Sequence, residues 1–275
     1  MSTSKEIIQK HEQMFYPTVR VRTKKAGGSG TVVYSKKHNN EIYTYVITNH
    51  HVISDCINIT KKWNPILKKK IDTETLDTVS VEFFKYNNYS HCIGSFAVEA
   101  DIVAYSEVDG GQDWALLRTR DKENVYDHVA NLFPSNDLDN VHIFDKCWAV
   151  GSSLGHPPIA SAGHISYMDD EIEHYKYWMS TAQTIFGNSG GACYRWSGKR
   201  KLYEWIGIPS RISVQPMGFS ADAITHMGYF IPIDRVYDLL EENDYHFIHN
   251  KDVSFEDCEK IRKDNRKPKK EADKD

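Results

Sequence analysis

The stretch Phe96-Ala97-Val98-Glu99-Ala100-Asp101-Ile102-Val103-Ala104 carries apolar side chains at every second position, with two acidic residues between them. Successive side chains of a β-strand point to opposite faces, whereas apolar residues of a helix recur every three to four positions. The period of two therefore predicts a β-strand that buries one face and exposes the other.

Similar runs recur along the chain. Further strands are predicted at residues 19–21, 42–47, 79–83, 146–150, 161–168, 177–181, 202–208 and 229–231. Helical periodicity is confined to residues 4–14 and to Ile233–Glu242, which follows Pro232. Many short strands separated by polar or glycine-bearing turns are typical of antiparallel barrels or sandwiches, so the fold class is all-β.

Composition restricts the class of protein further. The chain has 275 residues, of which 40% are hydrophobic, and this is enough to bury one large core or two small ones. A formal charge of −4 argues against a general nucleic-acid-binding surface. Residues 1–8 lack an apolar signal-peptide region, and no stretch is long enough to span a bilayer, so a membrane partner is not expected.

The cysteines favour a reducing compartment. There are five of them, an odd count at wide spacing and without a CxxC pair: Cys56, Cys92, Cys147, Cys193 and Cys258. We expect a cytoplasmic protein, or one of the host cytosol if the source is a virus. Cys193 follows a glycine-rich turn and is interpreted as a buried structural thiol.

The segment Gly187-Asn188-Ser189-Gly190-Gly191 surrounds the Ser189 hydroxyl with small residues, which leave it accessible. Glycines permit a tight turn, and consecutive N–H groups beside Ser189 can face a developing negative charge. Ordinary turns have the same composition, so this segment alone leaves both interpretations open.

Two other segments supply the partners that a serine nucleophile needs. Thr48-Asn49-His50-His51-Val52 follows a predicted strand, and Asp113-Trp114-Ala115-Leu116-Leu117 begins another. The order His, Asp, Ser is that of the chymotrypsin class. Asp101 and Asp109 are alternative candidates for the carboxylate. Asp101 is predicted on the polar face of a strand and Asp109 in a turn, so both are interpreted as structural.

At this point the chain resembles the trypsin-like serine proteases, and most closely their HtrA/Deg branch. Six segments carry the resemblance in order: Gly28-Ser29-Gly30-Thr31, Thr48 to Val52, Asp113 to Leu117, Val150-Gly151-Ser152-Ser153-Leu154-Gly155, Gly187 to Gly191, and Gly228-Tyr229-Phe230-Ile231-Pro232. The Thr-Asn-x-His-Val register favours His51, and His50 is then expected at the surface. No PDZ-like segment follows these matches, so regulation by such a domain is not expected.

The resemblance implies an architecture of two antiparallel six-stranded β-barrels and a C-terminal helix. Residues 1–16 would form an N-terminal helical arm, residues 17–249 the protease domain with its halves meeting near 120–145, and residues 250–275 a charged, disordered tail. Residues 251–275 contain nine Lys/Arg and eight Asp/Glu, with few large apolar residues to bury. Oligomerisation is compatible with this organisation.

The resemblance also implies an activity, the hydrolysis of peptide bonds in a polypeptide substrate without a metal or other cofactor. Ser189 would be the nucleophile, His51 the general base, and Asp113 the residue that orients His51. The N–H groups of Gly187 and Ser189 would form the oxyanion hole. Asn188 carries no charge, which disfavours activation by a newly freed N-terminus.

The specificity pocket is expected to consist of three segments: Gln183-Thr184-Ile185, Ile206-Gly207-Ile208 and Gly228-Tyr229. None of these residues is acidic, so the pocket is expected to take a small or medium apolar residue rather than Lys or Arg. Asp222 is the candidate that would contradict this if it reached the pocket. The other histidines, including His156, His164, His174 and His226, show no metal-ligand spacing.

An insertion is expected between His51 and Asp113. Residues 55–78 are lysine-rich and predict a long solvated loop, with a basic contact to substrate or nucleic acid as an alternative.

Two other functions stay open. G-x-S-x-G also fits an α/β-hydrolase esterase with His226 or His246 as base. A protease fold with an intact but blocked site would be a catalytically silent binding module.

Overall fold

The computed structural model describes residues 4–65, 68–106, 112–217 and 220–266. Asp109 and the basic cluster at 267–270 lie outside these ranges. The N-terminal arm is helix α1 (Lys5–Lys10), continued by a π-helical turn at His11–Phe15. No helix in the described ranges is long and apolar enough to cross a membrane.

The first barrel closes from six antiparallel strands in the order β1-β2-β3-β8-β7-β6. Their bounds are β1 Thr18–Arg22, β2 Gly27–His38, β3 Glu41–Thr48, β6 Val79–Asn87, β7 His91–Tyr105 and β8 Ala115–Thr119. A Cβ atom at Gly30 would lie 2.6 Å from Cγ1 of Val46, so only glycine allows β2 to curve this closely over the interior.

The second barrel closes in the order β10-β11-β14-β13-β12-β9. Its strands are β9 Lys146–Gly151, β10 Ile159–Ile172, β11 Tyr175–Ser180, β12 Ala192–Ser197, β13 Leu202–Met217 and β14 Ser220–Pro232. Tyr177, Tyr194 and Trp205 are fully buried inside it. Helix α3 (Ile233–Glu242) follows directly and buries Val236 and Leu240. The prediction of two six-stranded barrels with a C-terminal helix is confirmed.

Residues 55–78 are not a loop, and that prediction was wrong. Helix α2 (His50–Ile53) and one 3₁₀ turn lead into a hairpin of β4 (Ile57–Asn64) and β5 (Lys69–Leu76), which pair with each other from Ile57–Leu76 to Asn64–Lys69. These two strands form a sheet of their own. Nearly every described side chain is exposed, so the hairpin has no buried apolar face, and lysines interrupt the period of two by which strands are recognised in a sequence.

The expected disorder after residue 250 is also wrong for part of that segment. Helix α4 (Phe255–Arg266) docks on the first barrel through Phe255 and Cys258, which are buried. The Phe255 ring stacks on His38 with ring centroids 4.0 Å apart. The guanidinium of Arg262 lies 4.2 Å from the Tyr245 ring centroid. Two buried side chains and a cation–π contact order a helix that composition alone describes as solvated.

Candidate active site

A cleft of about 240 Å³ lies between the barrels. The first barrel contributes His51 to its lining. The second barrel contributes Thr184, Ile185, Phe186, Asn188, Ser189, Pro209, Ser210, Arg211 and Ile212. Two of the three residues predicted to act together, His51 and Ser189, therefore face one cavity.

His51 is positioned where β3 ends and α2 begins. Its Nδ1 atom lies 3.0 Å from Oδ1 and 2.9 Å from Oδ2 of Asp113, and its backbone N–H donates to Oδ1 at 3.0 Å. The Asn49 amide donates to the Asp113 carbonyl at 2.6 Å, which ties the two segments together. Half of the His51 side chain is exposed to the cleft.

Asp113 is largely enclosed, with 12% of its side chain exposed. Its φ of 48° is left-handed, a conformation that aspartate tolerates better than most residues, and fully buried Trp114 anchors the start of β8 beside it. Burial alone would raise the pKa of Asp113. Hydrogen bonds and positive charge from His51, with a hydrogen bond from Ser210, outweigh burial and hold the pKa below its ordinary value.

The turn that carries Ser189 requires glycine. Gly187 and Gly190 have φ values of 97° and 83°, and a Cβ at Gly190 would lie 2.2 Å from the Ser29 carbonyl oxygen. The Ser29 N–H donates to the Ser189 carbonyl at 2.8 Å, and the Gly190 N–H donates to the Pro209 carbonyl at 3.0 Å. The turn is thus held by backbone from both barrels.

The N–H groups of Gly187 and Ser189 donate no hydrogen bond within the part of the chain that the structure describes. Their neighbours do: Asn188 N–H donates to the Ile185 carbonyl at 3.0 Å. The Phe186 carbonyl accepts from the Leu154 N–H at 2.8 Å. Because a trans peptide points its C=O and N–H in opposite directions, this bond turns the Gly187 N–H away from Leu154. Both N–H groups therefore belong to the turn that carries Ser189 and are not used by the described part of the chain.

The Ser189 hydroxyl donates to the Ser210 carbonyl at 3.4 Å. In the described ranges no hydrogen bond joins Ser189 to His51. The Ser210 side chain donates to Oδ2 of Asp113. Ser210 was missed in the sequence because the strand containing it was predicted to end at Ile208, whereas β13 continues to Met217.

The predicted pocket residues separate into two groups. Thr184 lines the cleft with a buried Oγ1 that has no hydrogen-bond partner among the described residues, and a Cβ at Gly228 would lie 2.2 Å from that atom. Gln183 is exposed, and its carbonyl accepts from Ser161 at 2.6 Å. Ile208 is buried in the barrel core beside Ile231, and Tyr229 packs against the same core.

On β13 the cleft is lined by Pro209, Ser210, Arg211 and Ile212 rather than by the predicted Ile206-Gly207-Ile208. The guanidinium of Arg211 also pairs with Glu173 at 2.8 Å.

His50 was expected at the surface and is instead buried. Its ring stacks on Tyr105 with centroids 5.6 Å apart, and burial lowers its pKa. Asp101 lies on the outer face and pairs with Arg120 at 2.7 Å. Cys193 is buried, as expected. The described residues hold no group of three or more side chains suited to bind a metal.

A family model described as a trypsin-like peptidase domain matches residues 28–200. The chain belongs to this family. No curated protein matches its sequence significantly.

Solved structures share the fold at low sequence identity. The HtrA-type protease AlgW with tripeptide is 18% identical, with a TM-score of 0.56 over 86% of this chain. The chain spans 62% of AlgW's length. The serine endoprotease from Yersinia pestis is 19% identical, with a TM-score of 0.54 over 88% of this chain and 67% of that one. Deg5 is 19% identical, with a TM-score of 0.55 over 86% of this chain and 94% of Deg5.

Proposed function

We propose that the chain is a serine endopeptidase in which Ser189, His51 and Asp113 act as a catalytic triad. The observation that carries the proposal is the paired His51–Asp113 side chains beside a cleft that Ser189 also lines. A buried carboxylate that fixes an imidazole next to an accessible hydroxyl is the arrangement that serine acyl transfer needs.

In the proposed reaction His51 removes the Ser189 proton as Oγ attacks the peptide carbonyl. Asp113 keeps His51 in the tautomer with a proton on Nδ1 and stabilises its charged form. The Gly187 and Ser189 N–H groups bind the oxyanion, and a donor of this kind contributes roughly 10²–10³ in rate. His51 then protonates the leaving amine, and water resolves the acyl-enzyme.

The Ser189 hydroxyl must leave the Ser210 carbonyl to reach His51. Rotation about χ1 between staggered positions takes picoseconds to nanoseconds for an exposed side chain, so this rearrangement does not limit turnover. The same hydrogen bond favours the competing proposal, a catalytically silent binding module in which Ser189 stays with Ser210. The antiparallel barrels argue against an α/β-hydrolase esterase, which needs βαβ units.

We propose that the residue before the scissile bond is small or medium and apolar. The cleft residues Thr184, Ile185 and Ile212 present methyl and methylene groups, and none of the described residues that line the cleft is acidic. Asp222 is exposed and pairs in register with Gln215, further along the β13–β14 hairpin than the cleft residues.

We also propose a polypeptide as the partner, and a reducing, cytoplasmic setting. The five cysteines support the compartment, since each is a free thiol.

A peptide library tests the activity and the pocket together. The expected result is cleavage after Val, Ala or Leu that disappears in Ser189→Ala. Dominant cleavage after Lys or Arg would refute the pocket assignment alone, whereas equal turnover by Ser189→Ala would refute the proposed function.

A further inference from the structure

Under the proposed function, Gly187 supplies one of the two N–H groups of the oxyanion hole. Its φ of 97° lies in the region that glycine enters as easily as negative values, so the peptide planes on either side of it can turn at little cost. A donor contributes to catalysis only when it already points at the place where negative charge develops. The surroundings of Gly187 must therefore fix the direction of its N–H group.

The loop from Ser152 to Gly155 packs directly on Gly187. A Cβ atom at Gly187 would lie 2.6 Å from the Ser152 carbonyl oxygen and 2.8 Å from the Leu154 nitrogen. The Leu154 N–H donates to the Phe186 carbonyl at 2.8 Å, and this bond holds the Phe186–Gly187 peptide with its own N–H on the opposite side. The position of the loop therefore sets the direction of the Gly187 donor.

The loop includes a residue in an unfavourable conformation. Leu154 has a φ of 51°, which is uncommon for a bulky side chain, and 65% of the residue is exposed. Its side chain thus has little packing to offset the cost of this conformation. Contacts from outside the loop must stabilise it, and two of them come from the first barrel.

Ser29 on β2 makes the first of these contacts. It is fully buried, and its Oγ accepts from the Ser152 N–H at 2.7 Å and donates to the Gly187 carbonyl at 2.6 Å. One hydroxyl therefore joins the start of the loop to the peptide that follows Gly187. Together with the Leu154 N–H, it holds the peptide planes on both sides of the Gly187 Cα atom.

Arg20 on β1 makes the second contact. Its Nη1 donates to the Gly155 carbonyl at the end of the loop. Its Nε and Nη2 donate to Oε2 of Glu82 on β6 at 2.8 and 2.6 Å. The Glu82 side chain is only 9% exposed, so a largely buried ion pair fixes the guanidinium that reaches the second barrel.

We infer that Ser29 and Arg20 are positioning residues for the oxyanion hole, through which the first barrel sets the direction of the Gly187 N–H. The inference rests on the proposed function for its catalytic consequence, whereas the orientation of the peptide is a property of the fold. Neither residue is among those that line the cleft in the described part of the chain. Their loss should therefore slow the chemical step and leave substrate binding unchanged.

Two substitutions remove the contacts and leave the charge of the region unchanged. Ser29→Ala deletes only the hydroxyl. Arg20→Lys keeps a positive charge beside Glu82, but one ammonium group cannot reproduce the fork of donors that joins Glu82 to Gly155. The two changes are independent, so Arg20→Lys decides the matter if Ser29→Ala does not fold.

Each substitution has a matched control in the first barrel. Ser35→Ala removes another buried serine hydroxyl of β2, which hydrogen-bonds with Thr44 and accepts from the Tyr126 N–H. Arg120→Lys replaces an arginine whose guanidinium pairs with Asp101. Any general effect of losing a buried hydroxyl or an arginine fork in this barrel therefore appears in the controls as well.

Steady-state kinetics is the first measurement, with one peptide that the wild-type protein cleaves. We expect Ser29→Ala and Arg20→Lys each to lower kcat about tenfold, which is part of the roughly 10²–10³ that one oxyanion donor contributes, with KM within about twofold of wild type. The controls should keep the wild-type kcat, and thermal unfolding verifies that all four variants fold. An unchanged kcat, a loss carried by KM, or an equal loss in the controls would overturn the inference.

NMR provides a second measurement that needs no activity. Phe186–Gly187 is the only Phe-Gly pair in the sequence, so protein labelled with ¹³C-carbonyl phenylalanine and ¹⁵N-glycine gives a single carbonyl–amide cross-peak, from this peptide alone. Because both frequencies depend on hydrogen bonding, we expect the cross-peak to move in Ser29→Ala and Arg20→Lys and to stay in the controls. A cross-peak that keeps its position in all four variants would contradict the inference.

The two measurements separate failure of the inference from failure of the proposed function. If the wild-type protein cleaves no peptide, the proposed function fails, and the cross-peak still decides whether Ser29 and Arg20 orient Gly187. If the wild-type protein cleaves peptide, kcat decides whether that orientation serves catalysis.

Discussion

Ser210 donates its side-chain hydroxyl to the carboxylate of Asp113, and its backbone carbonyl accepts the hydroxyl of Ser189 at 3.4 Å. One residue of β13 therefore touches the acid and the proposed nucleophile at once. The side chain helps to keep the carboxylate ionised and oriented, while the carbonyl holds the nucleophile in its resting position.

Ser210→Ala removes the hydroxyl and leaves the carbonyl. Because a hydrogen bond to a charged group contributes about 1.5–3 kcal/mol, we expect kcat to fall at least about tenfold with little change in KM. Ser213→Ala on the same strand is the control, since Ser213 donates to the Met227 carbonyl rather than to the site. Steady-state kinetics with one peptide gives kcat and KM for both variants. An equal loss of kcat in the two variants would show that the Ser210 hydroxyl has no specific role in catalysis.

The His51–Asp113 pair predicts a pH dependence of stability. The pKa of Asp113 is lower in the folded protein than its unfolded value of about 3.9. A depressed pKa stabilises the fold above the unfolded value, and the contribution is lost as pH falls through the folded value. The difference in unfolding free energy between wild type and Asp113→Asn should therefore shrink as pH falls below about pH 4.

Urea unfolding at a series of pH values measures this difference. A difference that does not shrink below about pH 4 would contradict a lowered pKa of Asp113 and the assigned hydrogen bonds.

Gly190→Ala tests the turn. The added Cβ would meet the Ser29 carbonyl oxygen at 2.2 Å and Thr48 Oγ1 at 2.3 Å, at a φ of 83°. We expect a loss of about 3 kcal/mol in unfolding free energy together with loss of activity. Gly198→Ala is the matched control because no atom lies within 4 Å of its Cβ, and it should change stability by less than about 0.5 kcal/mol. Equal effects would indicate that the turn is not tightly packed.

The Asn188 side chain predicts that activity needs no proteolytic processing. Its Oδ1 accepts from Ser153 Oγ at 2.5 Å and from the Ile185 N–H at 3.2 Å, so local groups supply the partners that a charged N-terminus would otherwise provide. Intact mass spectrometry of active protein should find the uncut chain. Activity confined to a species trimmed near residues 17–27 would contradict this.

The barrels could be predicted because alternation in runs such as residues 96–104 reports one buried face directly. The order of His51, Asp113 and Ser189 along the chain predicts the same architecture. Sequence reasoning failed where the signal lies in tertiary contacts. Ser210 is one polar residue beyond the predicted end of a strand, and only the fold brings it to Asp113.

The β4–β5 hairpin was missed for a different reason, since cross-strand backbone pairing orders its described residues without a buried apolar face. Helix α4 was missed because the two side chains that it buries, Phe255 and Cys258, stand among many charged residues. His50 was predicted at the surface because a polar residue at a strand end is expected in solvent. In the structure its ring is buried and stacks on Tyr105.

Labelling with a fluorophosphonate probe shows directly whether Ser189 is an activated nucleophile. The probe reacts only with a serine activated by a base, so we expect one phosphonyl adduct per chain, located at Ser189 by peptide mapping. Ser189→Ala and His51→Ala should give none, and the labelled protein should have lost its peptidase activity. A folded wild-type protein that stays unlabelled, or an adduct on another residue, would contradict the assignment of Ser189 as the nucleophile.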